Sequence, residues 1–197
     1  MKKNYTATEK LTISALVIAL YAAVMLSTQS FAFGQYQIRI ATALYSLSAL
    51  FPFLVIPLGL ANFLSNALIG GLGIFDMVGG VLVGLATSGA VLLASRTRIP
   101  GLLTGAAITL IPGLAVPIWL SWILNVPYPI LAVSLVGGQI IPGLCGADIV
   151  TALKNRLREA SPSGTRLGAE DRAEAQKGRE HHVPNPRRDE RTFAARP

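Results

Sequence analysis

Charge is what this sequence lacks most. Only 14% of its 197 residues are Asp, Glu, Lys or Arg, where an average soluble domain has about a quarter. The scarcity is also uneven. Before residue 154 the basic residues are Lys2, Lys3, Lys10, Arg39, Arg96 and Arg98, and the acidic ones are Glu9, Asp76 and Asp148. The rest of both kinds crowd into the last stretch of the chain. Cysteine is nearly absent too. A lone Cys145 excludes an intramolecular disulfide. The two histidines, His181 and His182, are adjacent and lie in that polar tail, where a metal pair is a remote expectation. No HExxH, Walker A, GxSxG or paired-cysteine pattern occurs. With no convincing nucleophile and base pair, enzyme is the weaker class, and no cofactor is expected.

What the chain has instead is apolar length: 52% of it is hydrophobic. A spanning helix needs about 20 mostly apolar residues. Six candidates are legible, at 11–31, 41–55, 58–69, 77–94, 102–124 and 130–153. The second and third are separated only by Ile56-Pro57-Leu58-Gly59, where proline disfavours helix for the residue before it. The rival is one long kinked span, giving five helices. Charge arbitrates, because positive loops stay in the cytoplasm. Lys2, Lys3 and Lys10 place the N-terminus inside. Six spans also put Arg96 and Arg98, and then Lys154, Arg156 and Arg158, on the inside. The expectation is an all-α membrane protein of six transmembrane helices with both termini inside. An integral membrane domain covers 1–155, and a disordered, charged cytoplasmic tail covers 156–197. The high isoelectric point then reflects topology rather than nucleic-acid binding.

Polar residues inside such a chain are costly and mark function or interhelix contacts. FGQYQIRI, Phe33 to Ile40, is a polar break between two apolar segments, and its Arg39 is the one basic residue between Lys10 and Arg96. It falls in one of three outer connections, with Gln35 and Gln37; the others contain Asp76 and Asn125. Arg39 belongs at the mouth of a ligand site, touching the ligand or bracing Asp76. Asn62 and Asn66, four apart, share a helix face and either bond neighbouring helices or line a polar cavity. Asp76 caps the fourth helix, contacts a ligand, or both. Gln139, beside Gly137 and Gly138, suggests a cavity wall, while Asp148 is expected to pair with a base such as Lys154. Trp119 and Trp122 read as interfacial anchors, Trp119 alternatively as a stacking surface. Pro112, Pro117 and Pro142 are expected to kink or break their helices. Ala15, Ala19 and Ala23 form a small-residue stripe for internal packing or for docking a separate membrane protein. Gly80, Gly84 and Ser88 form a second stripe, read as internal packing.

QYQIRIATALYSLSALFP, IPLGLANFLSNALIGGLGIFDMVGGVLVGLAT and VPYPILAVSLVGGQIIPGLCG together resemble the queuosine-precursor transporter (QueT-type) family over about residues 10–153. The family comprises substrate-binding S components of energy-coupling factor (ECF) importers. The resemblance implies a six-helix S component in a prokaryotic cell membrane. It implies capture of a 7-deazaguanine base, such as queuine or its 7-aminomethyl precursor, from outside. The implied partners are a transmembrane coupling subunit and two cytoplasmic ATPases, with the alanine stripe as docking face. The expected substrate-binding set is Arg39, Asn62, Asn66, Asp76 and Gln139, hydrogen-bonding the substrate in a water-excluding pocket. Family members usually carry glutamate where this chain has Gln139, which keeps an acceptor but loses the charge. An S component for another small vitamin-like compound, a stand-alone transporter and, more remotely, a membrane enzyme acting on lipid stay open as alternatives.

Overall fold

A computed structural model describes residues 5–32, 38–70 and 72–159. The chain starts its first helix with a reciprocal cap. Thr6 Oγ1 accepts from the Glu9 backbone at 3.2 Å, and the Glu9 carboxylate accepts from the Thr6 backbone at 2.8 Å, so two otherwise orphan N–H groups are satisfied. Helix α1 then runs Ala7–Ser27, followed by a short turn of helix, α2, at Gln29–Ala32. Next come a 3-10 helix at Ile40–Ala49 and α3 at Val55–Ser65, which ends in a π-helical turn, Asn66–Gly70. Helices α4, Ile74–Ala94, and α5, Pro100–Leu124, follow, and α6 spans Tyr128–Glu159. No strand occurs among the described residues.

Five of these segments are long and apolar enough to cross a membrane. The sixth expected span is different in kind. Residues 41–55 do not form one spanning helix: Ile40–Ala49 is a 3-10 helix, shorter than spanning length. At about 2 Å rise per residue it reaches about 20 Å, against a hydrocarbon thickness of about 30 Å. The chain breaks at Leu50 and Phe51, and Pro57 sits inside the first turn of α3, where a missing N–H costs nothing. Pro112, Pro117 and Pro142 likewise lie inside continuous helices and break none of them.

The helices through Leu153 form one compact unit. Val17, Tyr21 and Met25 give α1 a single buried face, packed with Leu54, Leu58 and Ala61. Ala15, Ala19 and Ala23 lie on the exposed side of α1, so packing among the described residues does not use them. Helix α4 packs between α3 and α5. Small residues set these approaches: a Cβ on Gly84 would lie 3.0 Å from Gly59 Cα, and one on Gly113 would lie 2.9 Å from Val136 Cα in α6. The Gly80, Gly84 and Ser88 stripe is thus a packing face, with Ser88 Oγ held by the Gly84 carbonyl at 2.5 Å. Large apolar side chains such as Leu11, Ile56, Leu82 and Val133 point outward, as the lipid-facing side of a membrane bundle requires. Residues 160–197, including His181 and His182, and Phe33–Gln37, including Gln35 and Gln37, lie outside the described residues.

Backbone cannot give way as a flexible side chain can, so the α5–α6 approach makes a sharp prediction. Gly113→Val should lower stability by about 1–3 kcal/mol, the usual cost of overpacking, read as a lower thermal midpoint in detergent. Leu82→Ala, on the exposed side of α4, should change it by less than about 0.5 kcal/mol.

Candidate functional site

The 3-10 geometry decides which residues meet. With three residues per turn, positions three apart stack in one row. Arg39, Thr42, Tyr45 and Ser48 form such a row, and all four are buried. Each points a polar group at a different partner. Arg39 Nη1 donates to Asn66 Oδ1 at 3.1 Å and more weakly to Asn62 Oδ1 at 3.5 Å. The Thr42 hydroxyl lies 2.7 Å from the Arg39 carbonyl and 2.9 Å from Gln139 Oε1, two acceptors for one proton. Tyr45 Oη accepts from Asn62 Nδ2 at 2.9 Å and pairs with Tyr21 Oη of α1 at 3.3 Å. Ser48 Oγ reaches the carbonyls of Tyr45 and Ser88.

The two amides of α3 knit this row to α4. Asn62 Nδ2 also donates to the Gly80 carbonyl at 2.9 Å, and Asn66 Nδ2 to the Asp76 carbonyl at 3.0 Å. Asn66 therefore stands between Arg39 and Asp76, taking a bond from one and giving a bond to the other. Gly80 is glycine for a reason of space: a Cβ there would sit 2.5 Å from Asn66 Nδ2. Asp76 does not cap α4. Gly73 does, in the left-handed region at φ 84°, and Asp76 lies within the first turn. There its carboxylate meets the positive end of the helix dipole, and Trp119 Nε1 of α5 donates to Oδ1 at 3.2 Å.

Arg39, Asn62, Asn66, Asp76 and Gln139, all expected from the sequence, line the same cavity. Thr42, Tyr45 and Trp119 complete its polar wall, and Val83, Val116 and Leu135 its apolar one. The void has room for about one water molecule. The sequence reading did not include Thr42 or Tyr45, although the spacing of three from Arg39 was the signal. It takes both tryptophans as interfacial anchors, with a stacking surface as the alternative for Trp119 alone. Trp119 faces the cavity while Trp122 is 85% exposed. Asp148 is exposed. The described residues contain no cluster of metal-ligating side chains.

Comparison with known proteins gives one finding. A family model described as QueT transporter matches residues 11–155. No match is found among curated proteins or solved structures.

Because the amides of α3 serve both a buried guanidinium and the backbone of α4, crowding them should cost more than a surface change. Gly80→Ala is expected to destabilise the protein by about 1–3 kcal/mol through the displaced Asn66. Gly89→Ala, whose Cβ would meet nothing within 4 Å, serves as the control in the same thermal unfolding measurement. It should be neutral or slightly stabilising.

Proposed function

The chain belongs to the QueT transporter family, and on that premise we propose that it is the substrate-capturing S component of an ATP-driven ECF importer. Its substrate is a 7-deazaguanine base, such as queuine or its 7-aminomethyl precursor, taken from outside. The observation that carries this reading is the cavity that Arg39 lines. It is small, mostly buried, and lined by donors and acceptors on one side and apolar groups on the other. That composition suits a flat, polar-edged heterocycle. Arg39, Asn62, Asn66, Asp76 and Gln139 supply the hydrogen bonds, and the apolar wall with Trp119 covers the ring faces.

Three further features support the assignment. The basic clusters at Lys2 to Lys10, at Arg96 and Arg98, and at Lys154 to Arg158 fit both termini on the inside, an arrangement that requires the short Ile40–Ala49 segment to complete a sixth crossing beside the five longer ones. The chain carries no ATP-binding motif, so hydrolysis belongs to partners: two cytoplasmic ATPases joined through a transmembrane coupling subunit. Ala15, Ala19 and Ala23 form an exposed stripe on α1, and small residues let a neighbouring helix approach closely. The stripe is the docking face for the coupling subunit. Because the void holds only about one water, binding a base has to part the groups around it; the π-helical turn Asn66–Gly70 lies beside it, and such turns are frequent at functional sites.

The test is direct binding of 7-aminomethyl-7-deazaguanine to the purified protein. Arg39→Ala and Gln139→Ala should each weaken it by at least about tenfold, the loss of one or two hydrogen bonds in a dry site. No saturable binding, or full binding in both variants, overturns the substrate assignment. The docking face is tested separately. Ala19→Leu should reduce recovery of the coupling subunit in co-purification while leaving base binding intact; undiminished assembly rejects the stripe.

A further inference from the structure

The two oxygens of the Asp76 carboxylate stand in different circumstances. Asp76 is 2% exposed. Its Oδ1 accepts from Trp119 Nε1 at 3.2 Å. Its Oδ2 is buried and has no hydrogen-bond partner among the described residues, and the residue lines the cavity. Buried carboxylate oxygens are ordinarily satisfied, and an orphan one requires an explanation. An ionised carboxylate only accepts. The group that completes it must therefore bring N–H or O–H to that side of the cavity.

Trp119 determines which oxygen is left over. Its six-membered ring lies against Gly79, where a Cβ would sit 2.6 Å from Cζ2. Any side chain at 79 would push the indole away. Glycine thus lets α5 bring Nε1 to the first turn of α4, and the indole then occupies Oδ1 and leaves Oδ2 without a hydrogen-bond partner among the described residues. Asn66 fixes the other side of the residue by donating to the Asp76 carbonyl at 3.0 Å. The carboxylate is held at both ends of its residue, with a single acceptor on offer.

We propose that Asp76 Oδ2 is the specificity-determining acceptor for an N–H-bearing edge of the ligand, with Trp119 as its positioning residue. This rests on the deazaguanine reading above and sharpens it. The edge that Asp76 selects is the guanidine-like one, where a ring N–H and an exocyclic amine stand side by side. A ligand presenting a carboxylate or phosphate at that point is rejected, because it places acceptor against acceptor.

The test compares 7-deazaguanine with 7-deazahypoxanthine, which has the same ring system but lacks the 2-amino group. Dissociation constants are measured on the full chain in detergent. The wild type should favour 7-deazaguanine by about 10- to 100-fold, the worth of a hydrogen bond to a buried carboxylate. Asp76→Asn is nearly isosteric and puts a donor at the same place, so the preference should fall to near parity or reverse. Trp119→Phe keeps an aromatic ring but releases Oδ1, and should cut the preference by about tenfold. Trp122→Phe should leave it unchanged. A merely structural role for Trp119 would weaken both bases equally and leave their ratio alone. Equal binding of both bases by the wild type, or a wild-type ratio in both Asp76→Asn and Trp119→Phe, overturns the inference while the transport reading stands. Failure of the wild type to bind either base overturns the base reading and this inference together.

Discussion

A buried guanidinium that has to be hydrogen-bonded is the constraint on which the rest of this structure depends. Arg39 is 5% exposed in a chain whose outer surface is largely apolar. A charge in that setting is tolerated only with close polar partners. The chain provides them from α3, and each provision creates a further demand. Asn66 accepts from Arg39 and so has its amide nitrogen to place, which goes to the Asp76 carbonyl. Asn62 passes its own nitrogen to Tyr45 and to Gly80. Glycine at 80 then follows, since nothing larger fits beneath the amides. One arginine thus sets the spacing of the 3-10 helix, α3 and α4.

Much of this was legible in the residues, and the failures have one physical origin. Apolar run length located the helices, because lipid leaves few alternatives to a fully hydrogen-bonded helix. Arg39, Asn62, Asn66, Asp76 and Gln139 stood out because polar side chains are rare in such runs, and the structure brings these five to one cavity. The segment from Ile40 to Ala49 was misjudged because apolar composition carries no mark of helix type. Read at 3.6 residues per turn, Thr42, Tyr45 and Ser48 drift by about 60° at each step. At three per turn they align beneath Arg39. Ala15, Ala19 and Ala23 pose the converse difficulty. Their spacing states that they share a face but not what that face meets. Burial of Val17, Tyr21 and Met25 on the other side of α1 resolves the internal half of that question.

Rigidity and give are distributed unevenly around the cavity. Its floor is a continuous hydrogen-bonded chain from Tyr21 through Tyr45, Asn62, Arg39 and Asn66 to Asp76. Its rim next to Asn66 is a π-helical turn leading to a glycine at positive φ. Such turns are rare and concentrate at functional sites. A site built this way keeps its polar groups preorganised, which lowers the ordering cost of binding. It also links the cavity to α1 through the Tyr21–Tyr45 contact, on the helix whose far side carries the alanine stripe.

The central claim is that this cavity, with Trp119 in its wall, is where the base goes. Emission from Trp119 alone, in a chain in which Trp122 is replaced by phenylalanine, reports on that directly. On titration with 7-deazaguanine the account predicts a saturable change in Trp119 fluorescence whose midpoint matches the dissociation constant from equilibrium dialysis. Saturable binding by dialysis with Trp119 emission unmoved would place the ligand elsewhere and contradict the account.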